Sequence, residues 1–229
     1  MDPVFLGLAG EDWAAVGYSA VVACAAVLAT LPPGVALGWL LARRTFPGKF
    51  LVETALNLPL VVPPVVTGYL LLVALGRRGW FFHAFGVSLA FTTTAAVIAG
   101  AVMGFPLLVR AVRLAFQGTD PRLYQAARSL GAGPIDAFFS VSLPLARNGV
   151  IAGVILAFAR ALGEFGATLM FAGDHPERRT LAIQLWDLHN MPGANERMWR
   201  LVVASLVLAC AALGISEYLE RRGQRRVSA

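Results

Sequence analysis

Residues 13 to 42 run without a single charged side chain. A helix needs about 20 apolar residues to cross the hydrocarbon of a bilayer, where lipid offers no partner for backbone N–H and C=O groups. This run is long enough to cross and too greasy to leave in water. Further apolar runs cover 54–76, a stretch within 84–109, about 148–173 and about 198–219. Hydrophobic residues make up 58% of the 229 and charged residues only 14%, against about 25% charged in soluble domains. The surplus has to be buried in lipid. The expected fold is an all-α integral membrane protein with about five transmembrane helices, near 16–42, 54–76, 87–109, 148–173 and 198–219. They form one membrane domain, 13–219, followed by a basic tail, 220–229.

Five spans put the termini on opposite sides of the membrane. With the N-terminus outside, twelve lysines and arginines fall on inner segments and six on outer ones, with Arg160 inside the fourth span. Cytoplasmic loops carry the basic excess, so the expected orientation is N-terminus outside and C-terminus cytoplasmic. The net charge of +6 reads as this bias, and no nucleic-acid partner is expected. The first basic residue is Arg43. The first span therefore lacks the positive lead of a cleavable signal and reads as a retained anchor. Cys24 and Cys210 lie in apolar spans and read as reduced packing residues. His175 and His189, in a loop with Trp186 and Asp187, are too scattered to ligate a metal, so none is expected. Gly48–Lys49 is followed by Phe50 and lacks an upstream glycine, so it is not a nucleotide-phosphate loop. No catalytic residue is expected.

Two spans carry features that plain membrane anchors lack. The second reads NLPLVVPPVVTGYLLL. Proline inside a membrane helix frees carbonyls that neighbours or water must satisfy, and discontinuous helices often border transport routes. Pro63, Pro64 and Thr67 are accordingly candidates for a translocation path, the alternative being a kinked packing helix. Pro32, Pro33 and Gly34 should likewise kink or break the first span. The fourth span contains FARALGEFGAT. Arg160 and Glu164 stand four apart and share a helical face. A lone charge at mid-membrane costs roughly 2.5–3.5 kcal/mol, so the pair should face protein or water. It reads as an ion pair locking helices, or as a gate element meeting an anion. Gly163 and Gly166 leave room beside it for a second backbone. Gly100 with Gly104, and Gly149 with Gly153, have the spacing that lets membrane helices approach closely.

The longest polar segment between spans is YQAARSLGAGPIDAFFSVSLP, residues 124–144. Asp120 can cap a helix and Pro121 suits a first turn. Leu123, Ala126, Ala127 and Leu130 then form one face. Gly131 permits a left-handed exit, Gly133 and Pro134 restart the chain, and Ile135, Phe138, Phe139 and Ser142 repeat the spacing. Pro144 is expected to stop the second helix. The result is a helical hairpin whose apolar stripes need something to dock against. Its residues resemble the cytoplasmic loop of ABC-importer permeases, whose pattern is Glu-Ala-Ala, three residues, Gly, nine residues, then Ile-x-Leu-Pro. Gln125, Ala126, Ala127, Gly131, Val141, Leu143 and Pro144 fall on those spacings, with Gln125 for Glu and Val141 for Ile as mild departures. With RRTFPGKFLVETALNLPLVVPPVVTGYLLL and FARALGEFGAT, the chain resembles the permeases of molybdate ABC importers, a group close to the sulfate, thiosulfate and tungstate permeases. Some members carry an additional N-terminal helix, and none is expected before residue 13.

The resemblance implies a type I ABC-importer permease fold with a cytoplasmic coupling hairpin within 118–147. It implies a bacterial inner-membrane protein and a homodimer with the route along its interface. Two separate cytosolic subunits would bind and hydrolyse ATP, this chain binding no cofactor itself, and a periplasmic binding protein would deliver the oxyanion. The seven loop residues would form the ATPase-coupling site. Two readings from other classes stand beside it. An ion-gradient transporter would need embedded acids, and only Glu164 qualifies. A membrane scaffold would need neither the fixed-register loop nor the proline-broken span.

Overall fold

The computed structural model describes residues 10–225, with side chains through 207 and at 209, 210 and 214. Among the described residues all regular structure is helical, without a strand. Helix α1 spans Gly10–Arg43, α2 Lys49–Val61, α3 Pro64–Leu75, α4 Trp80–Phe85 and α5 Thr93–Gln117. The hairpin follows as α6, Pro121–Ser129, and α7, Pro134–Ala137, the latter continued by a π-helical turn, Phe138–Ser142. Helix α8 spans Leu143–Leu162, α9 Gly166–Ala172, α10 Leu181–Asn190 and α11 Asn195–Arg225.

Helix α5 is the centre of the bundle and packs against α1, α8 and α9. Small residues make this possible. A methyl group on Gly38 of α1 would lie 2.6 Å from Val112 Cγ1, and one on Gly104 of α5 would lie 2.9 Å from the Ala157 carbonyl of α8. Gly149 meets Ala115 in the same way. Val27, Leu108, Val112, Phe116, Ala146 and Ala157 form the core where these three helices meet. Dispersion contacts drive such packing, since lipid tails are as apolar as the side chains they would replace.

Four stretches among the described residues are long and apolar enough to cross a membrane: Gly10–Arg43, Pro64–Phe85, Thr93–Gln117 and Pro134–Leu162. The fifth expected span, 198–219, falls within α11, where side chains from 215 onward lie outside the described residues. The helix itself runs on to Arg225, and 226–229 of the expected tail are also outside them.

Three expectations need correction. Pro32 and Pro33 do not break α1, which stays helical across them. Packing of Gly34 on Leu108 and of Gly38 on Val112 holds the helix on the far side of the prolines, and tertiary contacts outweigh the local penalty. Pro144 does not stop the second helix of the hairpin. The proline ring would clash with the carbonyl four residues back, and here the chain widens instead: the Leu143 N–H donates to the Phe138 carbonyl, five residues back. The π turn absorbs the proline and the helix continues to Leu162. Cys24 and Cys210 are free thiols exposed on the outside of the bundle, not packing residues within it.

Candidate functional site

The hairpin is built as its residues demand. The Arg122 N–H donates to Asp120 Oδ1 at 2.9 Å, capping α6. At the other end Gly131 has φ +96°. The Ala132 N–H reaches the Ala127 carbonyl at 3.1 Å, and the Gly131 N–H reaches the Arg128 carbonyl at 3.2 Å. This pair of bonds is a Schellman turn, and it fixes the angle between the two arms. Arg128 Nη1 donates to the Ala132 carbonyl at 2.6 Å and braces the turn.

One side of the hairpin is anchored and the other is bare. Phe138 packs edge-on against Trp39 of α1, ring centroids 5.6 Å apart, and also meets Phe116 of α5. Leu143 joins the same inner core. Arg43 at the end of α1 donates to the Thr119 hydroxyl and carbonyl just before α6. On the opposite side Leu130 is 89% exposed, Ile135 72% and Phe139 60%. Of the loop residues singled out from sequence, Gln125, Ala126, Gly131 and Pro144 are exposed, while Ala127, Val141 and Leu143 are partly buried beneath them. The seated hairpin thus carries a bare apolar patch on its free side.

The second group of candidates gathers where two broken helices cross. Helices α2 and α3 are separated at Val62–Pro63, as the prolines predicted. The fourth span is also broken, between Leu162 and Gly166, which sequence periodicity did not reveal. The pieces that follow the two breaks, α3 and α9, pack together. A methyl group on Gly68 would sit 2.7 Å from the Ala167 Cα and carbonyl, and one on Gly166 3.1 Å from Pro64 Cβ and the Val65 nitrogen. Pro64 and Gly166 therefore meet directly, and Thr67 is buried one turn along. Gly163 meets only its own helix, at the Ala159 carbonyl.

Glu164 lies in the break. Its Oε2 pairs with Arg160 Nη1 at 2.5 Å, and its Oε1 accepts from the Ala167 N–H at 2.8 Å, at the start of α9. The carboxylate side chain is 1% exposed and the guanidinium 27%. One acid thus neutralises an embedded arginine and caps the helix that packs on α3. The ion pair was legible from the i,i+4 spacing; the capping role was not, because it depends on the break.

A third polar group was missed. Asp12, the last charge before the uncharged run, is fully buried. It accepts from Arg197 Nε at 2.9 Å, Arg197 Nη2 at 3.0 Å and Gln184 Nε2 at 3.1 Å. Hydrogen bonding to Asp12, only partly offset by burial, holds the Arg197 guanidinium above its ordinary pKa. This cluster ties the starts of α1 and α11 to α10 at the end of the bundle opposite the hairpin. Beside it Arg179 binds Asp174 and Asp187, each at 2.6 Å. Asp187 is thus a bridge between loop and α10, not a merely solvated residue. Partners 185 residues apart in the chain leave no local signal.

Comparison with known proteins bears on the family and the fold. A family model described as the binding-protein-dependent transport system inner membrane component covers residues 34–225. The molybdenum transport system permease protein ModB of Escherichia coli K12 is 50% identical over 224 residues, covering 96% of this chain and 98% of that one. The ModB of Haemophilus influenzae is 43% identical over 93% of this chain and 95% of its own. A probable sulfate transport system permease protein of Chlorokybus atmophyticus is 36% identical over 62% of this chain and 51% of its own. Among solved structures, the inward-facing MetNI methionine ABC transporter aligns with TM-score 0.67 at 19% identity, covering 93% of this chain and 94% of that one. A bacterial alginate ABC transporter, in complex with an alginate-loaded periplasmic protein, aligns at 0.70 and 15% identity, covering 96% and 80%. The fold is that of a type I importer permease.

Proposed function

Because the chain belongs to the family of binding-protein-dependent transport system inner membrane components, we propose that it is the membrane-spanning permease subunit of an ATP-driven molybdate importer. The observation that carries this reading is the 50% identity to a molybdenum permease over almost the whole of both chains. Sulfate is the weaker choice of ion, since the sulfate relative matches over a smaller part of each chain. The chain supplies no chemistry of its own in this reading. ATP is hydrolysed by a separate cytosolic subunit, and a periplasmic binding protein delivers the anion.

The coupling step falls to the hairpin. Gln125, Ala126, Ala127, Gly131, Val141, Leu143 and Pro144 form or underlie the surface offered to the ATPase, with Leu130, Ile135 and Phe139 as its apolar anchors. The small side chains of Ala126 and Ala127 let the hairpin sit deep in a groove. Two copies of the chain form the route between them, one hairpin for each ATPase subunit, with the N-terminus outside and the C-terminus in the cytoplasm. Pro63, Pro64, Thr67, Arg160 and Glu164 lie where the two broken helices cross. Rigid-body movement of α3 with α9 at that crossing supplies the gate.

The test uses proteoliposomes containing the permease and its co-purifying ATPase. ATP hydrolysis is compared with binding protein loaded with molybdate, tungstate or sulfate. Stimulation by the molybdate-loaded form is expected. Stimulation by the sulfate-loaded form alone would keep the class and change the ion. Absence of any co-purifying ATPase would overturn the coupling role of the hairpin.

A further inference from the structure

At the inner end of the bundle, between α2 and α5, lies a cavity of about 300 Å³. Its polar lining comes from Glu53 and Asn57 of α2 and from Arg110 and Arg113 of α5, with Leu41 and Leu56 as apolar wall. Arg113 Nη1 pairs with Glu53 Oε1 across the cavity at 3.0 Å. Arg113 Nε is buried and has no hydrogen-bond partner among the described residues. Arg110 also lines the cavity and has no ion pair among them. Lys49, the remaining cation nearby, is committed elsewhere: its Nζ donates to the Leu41 and Arg44 carbonyls and stands 4.0 Å from Glu53.

A guanidinium presents its donors as a fork matched to the paired oxygens of an oxyanion. Here Glu53 engages one Nη of that fork, and the fork's Nε is buried without a partner among the described residues. An orphaned buried donor costs free energy unless something fills the site. A cation that only set orientation would need neither a cavity nor a carboxylate facing it from another helix. We propose that this cavity is an inner station for the transported oxyanion, held by Arg110 and Arg113. Glu53 is its built-in competitor, occupying Arg113 whenever the station is empty. The proposal rests on the oxyanion-importer reading above and adds to it the place where the anion pauses before release. The competing carboxylate keeps that pause brief, because each departing anion is replaced by Glu53. The Asn57 side chain, one turn along α2, already donates to the Glu53 carbonyl at 2.6 Å and keeps that stretch of helix in place.

The charges give variants with opposite signs. The permease–ATPase complex would be placed in nanodiscs of phosphatidylcholine, without binding protein, and titrated with radiolabelled molybdate by equilibrium dialysis. Arg110→Gln should weaken binding about ten-fold or more, the loss of one charge-assisted contact. Glu53→Gln keeps the shape but removes the competing charge, and should tighten binding several-fold. Inorganic phosphate, another tetrahedral oxyanion, should compete weakly at the same site. Unchanged binding in Arg110→Gln, or weaker binding in Glu53→Gln, would overturn the station. So would full displacement of molybdate when anionic phosphatidylglycerol replaces phosphatidylcholine, which would assign the site to lipid phosphate. Uptake driven by loaded binding protein is measured in parallel. Import by the wild type with no molybdate bound in the titration sinks the station alone. No oxyanion import by the wild type sinks the importer reading beneath it.

Discussion

Glu164 offers the sharpest test of the fold, because one side chain serves two partners of known geometry. Replacing it with Gln retains an oxygen for the Ala167 N–H but makes that bond neutral, and charge-assisted bonds are roughly twice as strong as neutral ones. With a net worth of about 1.5–3 kcal/mol for a bond to a charged group, the loss at Ala167 is about 1 kcal/mol. The ion pair goes as well. Arg160 is 27% exposed, so part of its desolvation penalty is relieved by water or headgroups. The roughly 2.5–3.5 kcal/mol for an embedded charge is therefore discounted to about 1–2. Glu164→Gln should cost about 2–3 kcal/mol in all. Arg160→Lys keeps a cation opposite the acid and leaves the Ala167 bond untouched, and should cost less than about 1 kcal/mol. Denaturant unfolding of the purified permease in detergent measures both, with ATP-driven uptake as the second readout. If Arg160→Lys were as damaging as Glu164→Gln, the carboxylate would not be joining two elements, and the account of the break would be wrong.

Three further outcomes follow from positions described above. Gly131→Asp should abolish ATP-driven uptake while leaving membrane insertion intact, since nothing lies within 4 Å of a Cβ there and the cost is the left-handed backbone, about 1–2 kcal/mol; immunoblotting of membranes and an uptake assay check the two halves. Leu130→Asp with Ile135→Asp should release the ATPase from the purified complex without lowering the unfolding midpoint of the permease, because both side chains are exposed. Gly68→Ala should destabilise by about 1–3 kcal/mol through overpacking against the Ala167 backbone, read as a lower thermal midpoint.

Features governed by neighbours in the chain were readable in advance. The Asp120 cap, the Gly131 turn, the break at Pro63 and the Arg160–Glu164 pair all depend on residues within a few positions. The errors have a common physical origin. Pro32, Pro33 and Pro144 all carry the same local penalty, yet packing carries α1 past its prolines, and one widened turn takes α7 through Pro144 into α8. The break after Leu162 has no proline to announce it; Gly163 and a carboxylate that prefers to cap the next helix produce it. The role of Asp12 has no local signal because its partners, Gln184 and Arg197, become neighbours only when α10 and α11 fold back on α1.

The widened turn at Phe138–Ser142 has a mechanical corollary. Because the chain stays helical through it, Pro134–Leu162 is one continuous member of 29 residues, about 43 Å at 1.5 Å per residue. The bare face of the hairpin sits at one end and the Glu164 break at the other. Tilting such a lever by about 5° displaces its far end by about 4 Å, most of the rise of one helical turn. Motion imposed on Ile135 would thus arrive amplified where α9 meets α3.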